Sequence, residues 1–342
     1  MSEWYIYQGI GRPDPARIEQ LPDPPPWRAF DAEPVPYDVP ALDSSTHRRL
    51  GARTVPLPVQ DSDTLELVNA ALYLRRPLLV TGDPGVGKST LAHSIAYELG
   101  LGRVLEWPIV SRSELRDGLY SYDAIGRLQD AQLRRAAQEQ REAGDGGPES
   151  EDIGRYIKLG PLGTALLAAG RPRVLLIDEL DKSDIDLPND LLNVLEEGRF
   201  AIPELERIAD RTPVVEVLTD DGRRVAVTGG QVRCRAFPFV VLTSNREREF
   251  PAPLLRRCIP LDLKAPRAER LAALVQAHFG QDAHEANHDL VDRFTQAEAD
   301  GALRPTDQLL NAIFLAQHAA RDTTRREEIS ELLMQPLDRG PR

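Results

Sequence analysis

The chain has 342 residues, of which 41 % are hydrophobic, and its 54 acidic and 42 basic side chains leave a net charge of −12. This length and apolar content predict two domains with buried cores, whereas the negative charge, without any run of five or more Lys or Arg residues, disfavours nucleic acid as a partner. No stretch approaches the roughly 20 apolar residues that span a bilayer, and the N-terminus lacks the basic start and apolar core of a signal peptide, so we expect a cytoplasmic protein without membrane contact.

The first region, residues 1–60, is predicted to be an extended, proline-rich arm. Prolines lack the backbone N–H that helices and central strands need, and seven of them lie between residues 20 and 40. Two interpretations remain open, a strap across the body or a neighbouring subunit, and a disordered extension. The strap is favoured by six aromatic residues, more than a solvated tail needs: Trp4, Tyr5, Tyr7, Trp27, Phe30 and Tyr37.

Residues 61–264 alternate short apolar runs with helical periodicity. A Gly-rich turn and a helix from Ser89 follow the first run, so the pattern predicts a three-layer α/β fold with a parallel sheet. Alternation around Asp221-Gly222 predicts a β-hairpin, and the Gly- and acid-rich stretch 141–154 predicts a surface loop. The apolar runs are typical of buried strands and lie at residues 78–81, 104–110, 174–177 and 239–243.

Strand signals end near Ala265, where helical periodicity takes over. The pattern predicts a small all-α domain over residues 265–342, directly after the α/β domain. Its predicted helices cover residues 267–279, 286–299, 306–320 and 326–335.

The sequence GDPGVGKST, directly after the first predicted strand, matches the pattern G-x-x-x-x-G-K-[ST] of phosphate-binding loops. Its glycines allow turns that a Cβ would block, so several backbone N–H groups and a helix N-terminus can face one phosphate group. Lys88 is then placed to reach the β- and γ-phosphates, and the Ser89 hydroxyl to bind Mg²⁺. The expected nucleotide-binding residues are Gly82, Asp83, Pro84, Gly85, Val86, Gly87, Lys88, Ser89 and Thr90.

A second part of the site is predicted in the sequence VLLIDELDK. Asp178 and Glu179 follow four apolar residues, at the carboxyl end of a strand, where open α/β sheets bind their ligands. Asp178 is the candidate that holds the Mg²⁺ shell. Glu179 is the candidate base that orients and deprotonates an attacking water. Two acids on a surface turn would be the alternative.

Two further segments supply candidates for catalysis. Asn245 ends the run FPFVVLTSN, and a neutral amide at a strand end can hold the water or contact the γ-phosphate. Arg256 and Arg257 end a predicted helix in REFPAPLLRRCI, and such cations can stabilise transition-state charge in a neighbouring subunit.

The order GDPGVGKST, LLIDELDK, VVLTSN and LLRRCI, followed by a helical domain, resembles that of AAA+ ATPases. The segments KLGPLGTALLAAGRPRVLLIDELDKSD and NDLLNVLEEGRF are similar to the MoxR-like branch, and the likeness covers residues 65–320. It implies that Asn245 is sensor 1 and that Arg257 is the arginine finger, with Arg256 as the alternative. Arg304 is by the same likeness a candidate sensor 2.

The resemblance also implies ATP and Mg²⁺ as cofactors, an ATPase activity, and a homo-hexameric ring. MoxR-like relatives act on protein clients that often contain a von Willebrand factor A domain, so a remodeller of a protein partner is implied. By the same resemblance, the segment SELRDGLYSYDAIGRLQDAQLRR corresponds to that branch's insertion in its second helix, and the hairpin to its pre-sensor hairpin. For both regions, a surface decoration without a role is the alternative. Two other interpretations stay open, a slow nucleotide-gated signalling scaffold in a bacterial defence system and a nucleic-acid translocase subunit.

Overall fold

A computed structural model describes residues 4–51, 61–139, 153–266, 268–280, 287–299 and 305–318. The strands are, in chain order, β1 (Leu78–Thr81), β2 (Leu105–Pro108), β3 (Tyr120–Tyr122), β4 (Ile157–Leu159), β5 (Val174–Asp178), β6 (Arg199–Ala201), β7 (Val214–Leu218), β8 (Arg224–Thr228), β9 (Gln231–Arg233), β10 (Phe239–Ser244) and β11 (Ile259–Asp262). The helices are α1 (Ser44–Leu50), α2 (Ser62–Leu74), α3 (Lys88–Glu98), α4 (Leu115–Leu119), α5 (Ala124–Glu139), α6 (Pro161–Ala165), α7 (Asp186–Glu197), α8 (Pro203–Glu206), α9 (Ala252–Arg257), α10 (Ala268–Phe279), α11 (His288–Ala299) and α12 (Thr306–His318).

The central sheet has five parallel strands in the order β11–β1–β10–β5–β2. Side chains alternate between its two faces: in β5, Leu175 and Ile177 join the hydrophobic core on one face, and Val174 and Leu176 join the core on the other. Both faces are therefore buried, as in parallel sheets covered by helices. The predicted three-layer α/β fold is confirmed.

The strand predicted over residues 104–110 is shorter in the structure, where β2 ends at Pro108. The chain turns directly afterwards, because the Val110 N–H donates to the Ser113 hydroxyl and the Ser113 N–H donates to the Val110 carbonyl. Val110 itself is exposed, so the apolar run continued beyond the strand.

A second sheet has six strands in the order β3–β4–β7–β8–β9–β6. It contains the hairpin predicted around Asp221-Gly222, in which β7 and β8 pair from Val214↔Thr228 to Leu218↔Arg224. Gly222 has φ 80° in the turn, a conformation that favours glycine. The predicted loop at 141–154 lies outside the described residues, apart from its last two.

The described C-terminal helices form a core of their own. Side chains of α10, α11 and α12 pack together there, including Leu271, Val275, Phe294, Leu309 and Ile313. This confirms the predicted helical C-terminal region, although the helix expected at 326–335 lies outside the described residues. Among the helices that the structure describes, none is long and apolar enough to cross a membrane.

The described part of the N-terminal arm packs over the body, as the strap interpretation expected. In α2, the buried Asn69 side chain accepts the N–H groups of Ile6 and Tyr7 at 2.8 and 3.0 Å. The arm is not extended throughout, because α1 forms beyond the last proline of the Pro-rich stretch. Asp43 caps this helix through its Oδ1 atom, which accepts the N–H groups of Ser45 and Thr46.

The arm also holds the turn of the hairpin. The Arg173 guanidinium, directly before β5, donates to Asp221 Oδ2 at 2.9 Å and to the hydroxyl of Tyr37, which itself donates to Asp221. The Arg173 and Asp221 side chains are 1 % and 0 % exposed. The turn is therefore anchored to the arm and to the start of β5 instead of projecting into solvent.

Candidate nucleotide-binding site

Three loops that follow β1, β5 and β10 meet at one edge of the central sheet. Because these strands are parallel neighbours, with Leu78 opposite Val241 and Leu242 opposite Ile177, their carboxyl ends lie side by side. A cavity of about 940 Å³ opens there, between the sheet edge and the C-terminal helices. Its lining includes the predicted residues Lys88, Ser89, Asp178, Glu179 and Asn245. This is the crevice in which open α/β folds bind ligands.

The phosphate-binding loop is formed by glycines in conformations that other residues rarely adopt. Gly85 and Gly87 have φ values of 80° and 97°. A Cβ on Gly85 would lie 2.3 Å from the Cβ of Pro305, so the loop also closely contacts the residue before α12. The next residue after Gly87 begins α3, so the N-terminus of this helix faces the cavity, where its N–H groups favour an anion.

Lys88 lies inside the loop with its ammonium group on backbone carbonyls. Its Nζ atom donates to the oxygens of Gly82 and Asp83 at 2.8 and 2.9 Å. Burial lowers the pKa of Lys88, and the nearby carboxylates of Asp181 and Asp178 oppose that effect. A buried ammonium group of this kind is well placed for polyphosphate.

Ser89 and Asp178 meet as the predicted metal site requires. The Ser89 hydroxyl donates to Asp178 Oδ1 at 2.7 Å, and the Thr243 hydroxyl donates to the same oxygen at 2.6 Å. Among the described residues, no cluster of three or more His, Cys, Asp or Glu side chains could hold a metal ion alone. One carboxylate and one hydroxyl fit Mg²⁺, which takes oxygen ligands and keeps waters and substrate phosphates in its shell.

Glu179 lies beside Asn245, as a shared water site requires. Asn245 Nδ2 donates to Glu179 Oε1 at 3.3 Å, and Lys182 Nζ contacts Glu179 Oε2 at 2.5 Å. Glu179 has φ 60°, a left-handed conformation that is costly for a residue with a side chain. The structure therefore brings the two predicted water-handling groups together on adjacent strand ends.

The two candidate finger arginines lie on α9, and neither lines the cavity. Arg257 forms an ion pair with Glu196 of α7 and donates to the Pro253 carbonyl. Arg76, just before β1, donates to the Arg256 and Arg257 carbonyls and so caps this helix. The predicted sensor 2, Arg304, lies outside the described residues.

Sequence reasoning missed several residues that support the site. Thr243 lies two residues before Asn245 in the run FPFVVLTSN, and its hydroxyl had no predicted role. Asp181 and Lys182 are part of the acidic motif, and their charge next to Glu179 was the available signal. Arg76 and Glu196 had no local signal, because they meet α9 only through the fold. Arg48 of α1 and Arg270 of α10 also line the cavity.

The parallel sheet, the glycine loop before α3 and the paired carboxylates define a P-loop nucleotide-binding domain of the three-layer α/β class. The family model of the AAA domain, dynein-related subfamily, matches residues 77–258, more than half of the chain. The chain therefore belongs to this AAA family of ATPases. A search of curated proteins returned no match.

Proposed function

We propose that this protein binds ATP with Mg²⁺, hydrolyses the ATP in a ring of identical subunits, and uses the energy to remodel a partner protein, as MoxR-like ATPases do. One observation carries the proposal. Asn245 and Glu179 share a hydrogen bond beside the Ser89 and Asp178 pair, while the arginines of α9 lie away from that cavity. We infer that Glu179 is the base and that Ser89 and Asp178 hold the metal, while a neighbouring subunit contributes the finger arginine.

Hydrolysis needs a water aligned with the γ-phosphate. The Glu179 carboxylate would accept a proton from that water, and the Asn245 amide, 3.3 Å from the carboxylate, would hold the water in line. Lys88 and the N–H groups at the start of α3 would bind the phosphate oxygens. Mg²⁺, held by Ser89 and Asp178, would neutralise charge on the β- and γ-phosphates.

In a ring, Arg257 of one subunit could reach the γ-phosphate bound by its neighbour. The Arg257 side chain is 42 % exposed, and in the single subunit it is bound to Glu196. A cation at the γ-phosphate can contribute about 10³-fold or more to turnover. An arginine that stabilises a neighbour's transition state would make hydrolysis depend on assembly, and we propose a hexamer from the resemblance to MoxR-like proteins.

The insert between β2 and β4 supports contact with a protein client. Its helix α5 exposes Ile125, Leu128 and Leu133, which are 72 %, 60 % and 69 % accessible. Exposed apolar side chains grouped on one helix are typical of protein-binding surfaces. The hairpin turn is held by Arg173 instead, so α5 is the better candidate to contact the client. A client with a von Willebrand factor A domain is proposed from the resemblance alone.

The proposal is tested with Glu179→Gln as a trap. The variant should keep ATP binding and lose turnover by about 10²-fold to 10⁴-fold, because a positioned general base contributes that much. A pull-down with the ATP-loaded variant, followed by identification of bound protein, should enrich one partner over the ADP sample. The matched control is Glu197→Gln, since Glu197 is 60 % exposed and pairs with Arg199 on the surface. Undiminished hydrolysis by the trap would refute the assigned base.

Subunit mixing tests the ring. Arg257→Ala subunits, which carry an intact base, are mixed with Glu179→Gln subunits, which carry an intact arginine. If the arginine acts in the neighbouring site, the mixture should be more active than either variant alone. The same mixture with Arg256→Ala decides which of the two arginines acts. Equal inactivity of both mixtures, with rings confirmed by mass measurement, would count against action across the interface.

A further inference from the structure

Asp181 connects the loop of the candidate base to the loop of the water-holding amide. It lies in a single 3₁₀ turn, Leu180–Lys182, directly after Glu179, and its side chain is almost fully buried at 2 % exposure. Its Oδ2 atom accepts two backbone N–H groups from the other loop, those of Asn245 and Glu247, each at 2.9 Å. One carboxylate oxygen therefore joins the strand ends of β5 and β10.

The two loops that Asp181 joins are both in costly conformations. Glu179 and Arg246 have φ values of 60° and 64°, and Arg75 is the only other non-glycine residue with positive φ in the described part of the chain. Such conformations persist only where neighbouring contacts hold them. The amides bound by Asp181 lie on either side of Arg246, and the Glu179 N–H is bound by the Thr243 hydroxyl.

Burial of the Asp181 carboxylate does not by itself favour the folded state. Its second oxygen, Oδ1, has no hydrogen-bond partner among the described residues and is shielded from solvent. A buried carboxylate with an unsatisfied oxygen destabilises a fold. Its position between two strained loops beside the cavity therefore indicates that it fixes these loops relative to each other.

We propose that Asp181 is a positioning residue for hydrolysis, which holds the Asn245 amide against the Glu179 carboxylate. The proposal rests on the function proposed above and adds a residue to it. Asp181 is not among the residues that line the cavity. It acts through the backbone of Asn245, whose side chain donates to Glu179 at 3.3 Å. A shift of this amide by about 1 Å can lower the rate by about 10²-fold.

The test compares Asp181→Ala with Asp181→Asn in the full chain. The alanine variant loses both hydrogen bonds, so kcat should fall by about 10-fold to 100-fold while KM for ATP stays within about threefold. The asparagine variant keeps an oxygen that can accept both N–H groups, so its kcat should recover to within about fivefold of the original. Thermal unfolding of each variant shows that the loss of kcat is not a loss of folded protein.

Three results would overturn the proposal: a kcat of the alanine variant within about threefold of the original, an equal change in kcat and KM, or an asparagine variant as inactive as the alanine variant. If the alanine variant does not fold, Asp181→Ser replaces it, because a serine hydroxyl is too short to reach both amides. A failure of the proposed function is separate, since it would appear as ATP hydrolysis that survives in Glu179→Gln.

Discussion

Helix α3 uses its polar side chains in two different ways at its two ends. At the first turn, Lys88 and Ser89 face the cavity, and the Ser89 hydroxyl donates to another cavity residue, Asp178. At the last turn, the Glu98 carboxylate lies under the N-terminal arm and accepts the N–H groups of Gln8, Gly9 and Gly11. The first set lines the cavity in which we propose that the phosphates bind, whereas the second set bonds to the N-terminal arm.

This contrast predicts two classes of variant. Removing a polar group at the cavity should lower nucleotide binding or turnover with little change in the free energy of unfolding. Removing one under the arm should lower the free energy of unfolding, because its buried partners lose their hydrogen bonds. The distinction would be wrong if a cavity variant mainly lowered the free energy of unfolding, or if an arm variant mainly lowered ATP binding or turnover.

The largest effect on nucleotide binding is expected for Lys88→Ala at the cavity end. Loss of charged hydrogen bonds to phosphate, each worth about 1.5–3 kcal/mol, should weaken ATP binding by about 100-fold or more. Isothermal titration measures the affinity, and thermal unfolding without nucleotide should show a much smaller change. Lys158→Ala is the control, because Lys158 is an exposed residue of β4. Tight binding by the Lys88 variant would mean that the loop does not hold the phosphates.

Where the arm meets the hairpin turn, Asp221→Ala should have the largest effect on the free energy of unfolding. The change leaves the buried guanidinium of Arg173 without its carboxylate, which typically costs about 3–5 kcal/mol. Chemical denaturation measures the free energy of unfolding. The ATP affinity of the folded protein should stay within about threefold, since Arg173, Asp221 and Tyr37 are not among the residues that line the cavity. The control is Asp38→Ala in the same region, whose 89 % exposed carboxylate is 3.6 Å from Arg223. A loss of ATP binding without destabilisation would contradict the assigned roles.

A pH effect of intermediate size is expected at His93, on the buried side of α3. Burial, with a further contribution from Arg49, lowers the pKa of His93 to about 4. An unfolded histidine has a pKa of about 6.5, so between these two values the unfolded chain binds a proton that the native chain does not. Stability should therefore fall as the pH falls from about 6.5 to 4, by up to roughly 3 kcal/mol from this group.

Denaturation curves across this pH range measure the effect. His93→Gln should flatten the pH dependence by the amount that His93 contributes, and His288→Gln is the control at a side chain that is 65 % exposed. Parallel curves for the original protein and the His93 variant would show that its protonation is not linked to unfolding.

The two regions also differ in how far the sequence predicted them. The phosphate loop is one continuous motif between a strand and a helix, and parallel strands bring Asp178 and Asn245 to the same edge of the sheet, so local patterns were sufficient. The arm contacts join residues far apart, such as Asn69 with Ile6 and Arg173 with Asp221 and Tyr37. The residues next to Asn69 in its helix, or next to Arg173 before its strand, do not indicate which distant residues these side chains contact. For the same reason, the hydrogen bond that the Asn245 N–H donates to the Asp181 carboxylate was not predictable from the sequence.

The smallest effect is expected for Lys182→Met, which tests whether the ion pair with Lys182 restrains the Glu179 carboxylate. Lys182 and Glu179 form an ion pair whose side chains are 41 % and 40 % exposed, and exposed pairs contribute at most about 1 kcal/mol. The pair occupies one oxygen of the candidate base, so its removal should free that oxygen for water and raise kcat, by no more than about fivefold. Steady-state turnover at saturating ATP measures the change. A fall of more than about tenfold would instead place Lys182 among the groups that stabilise the transition state.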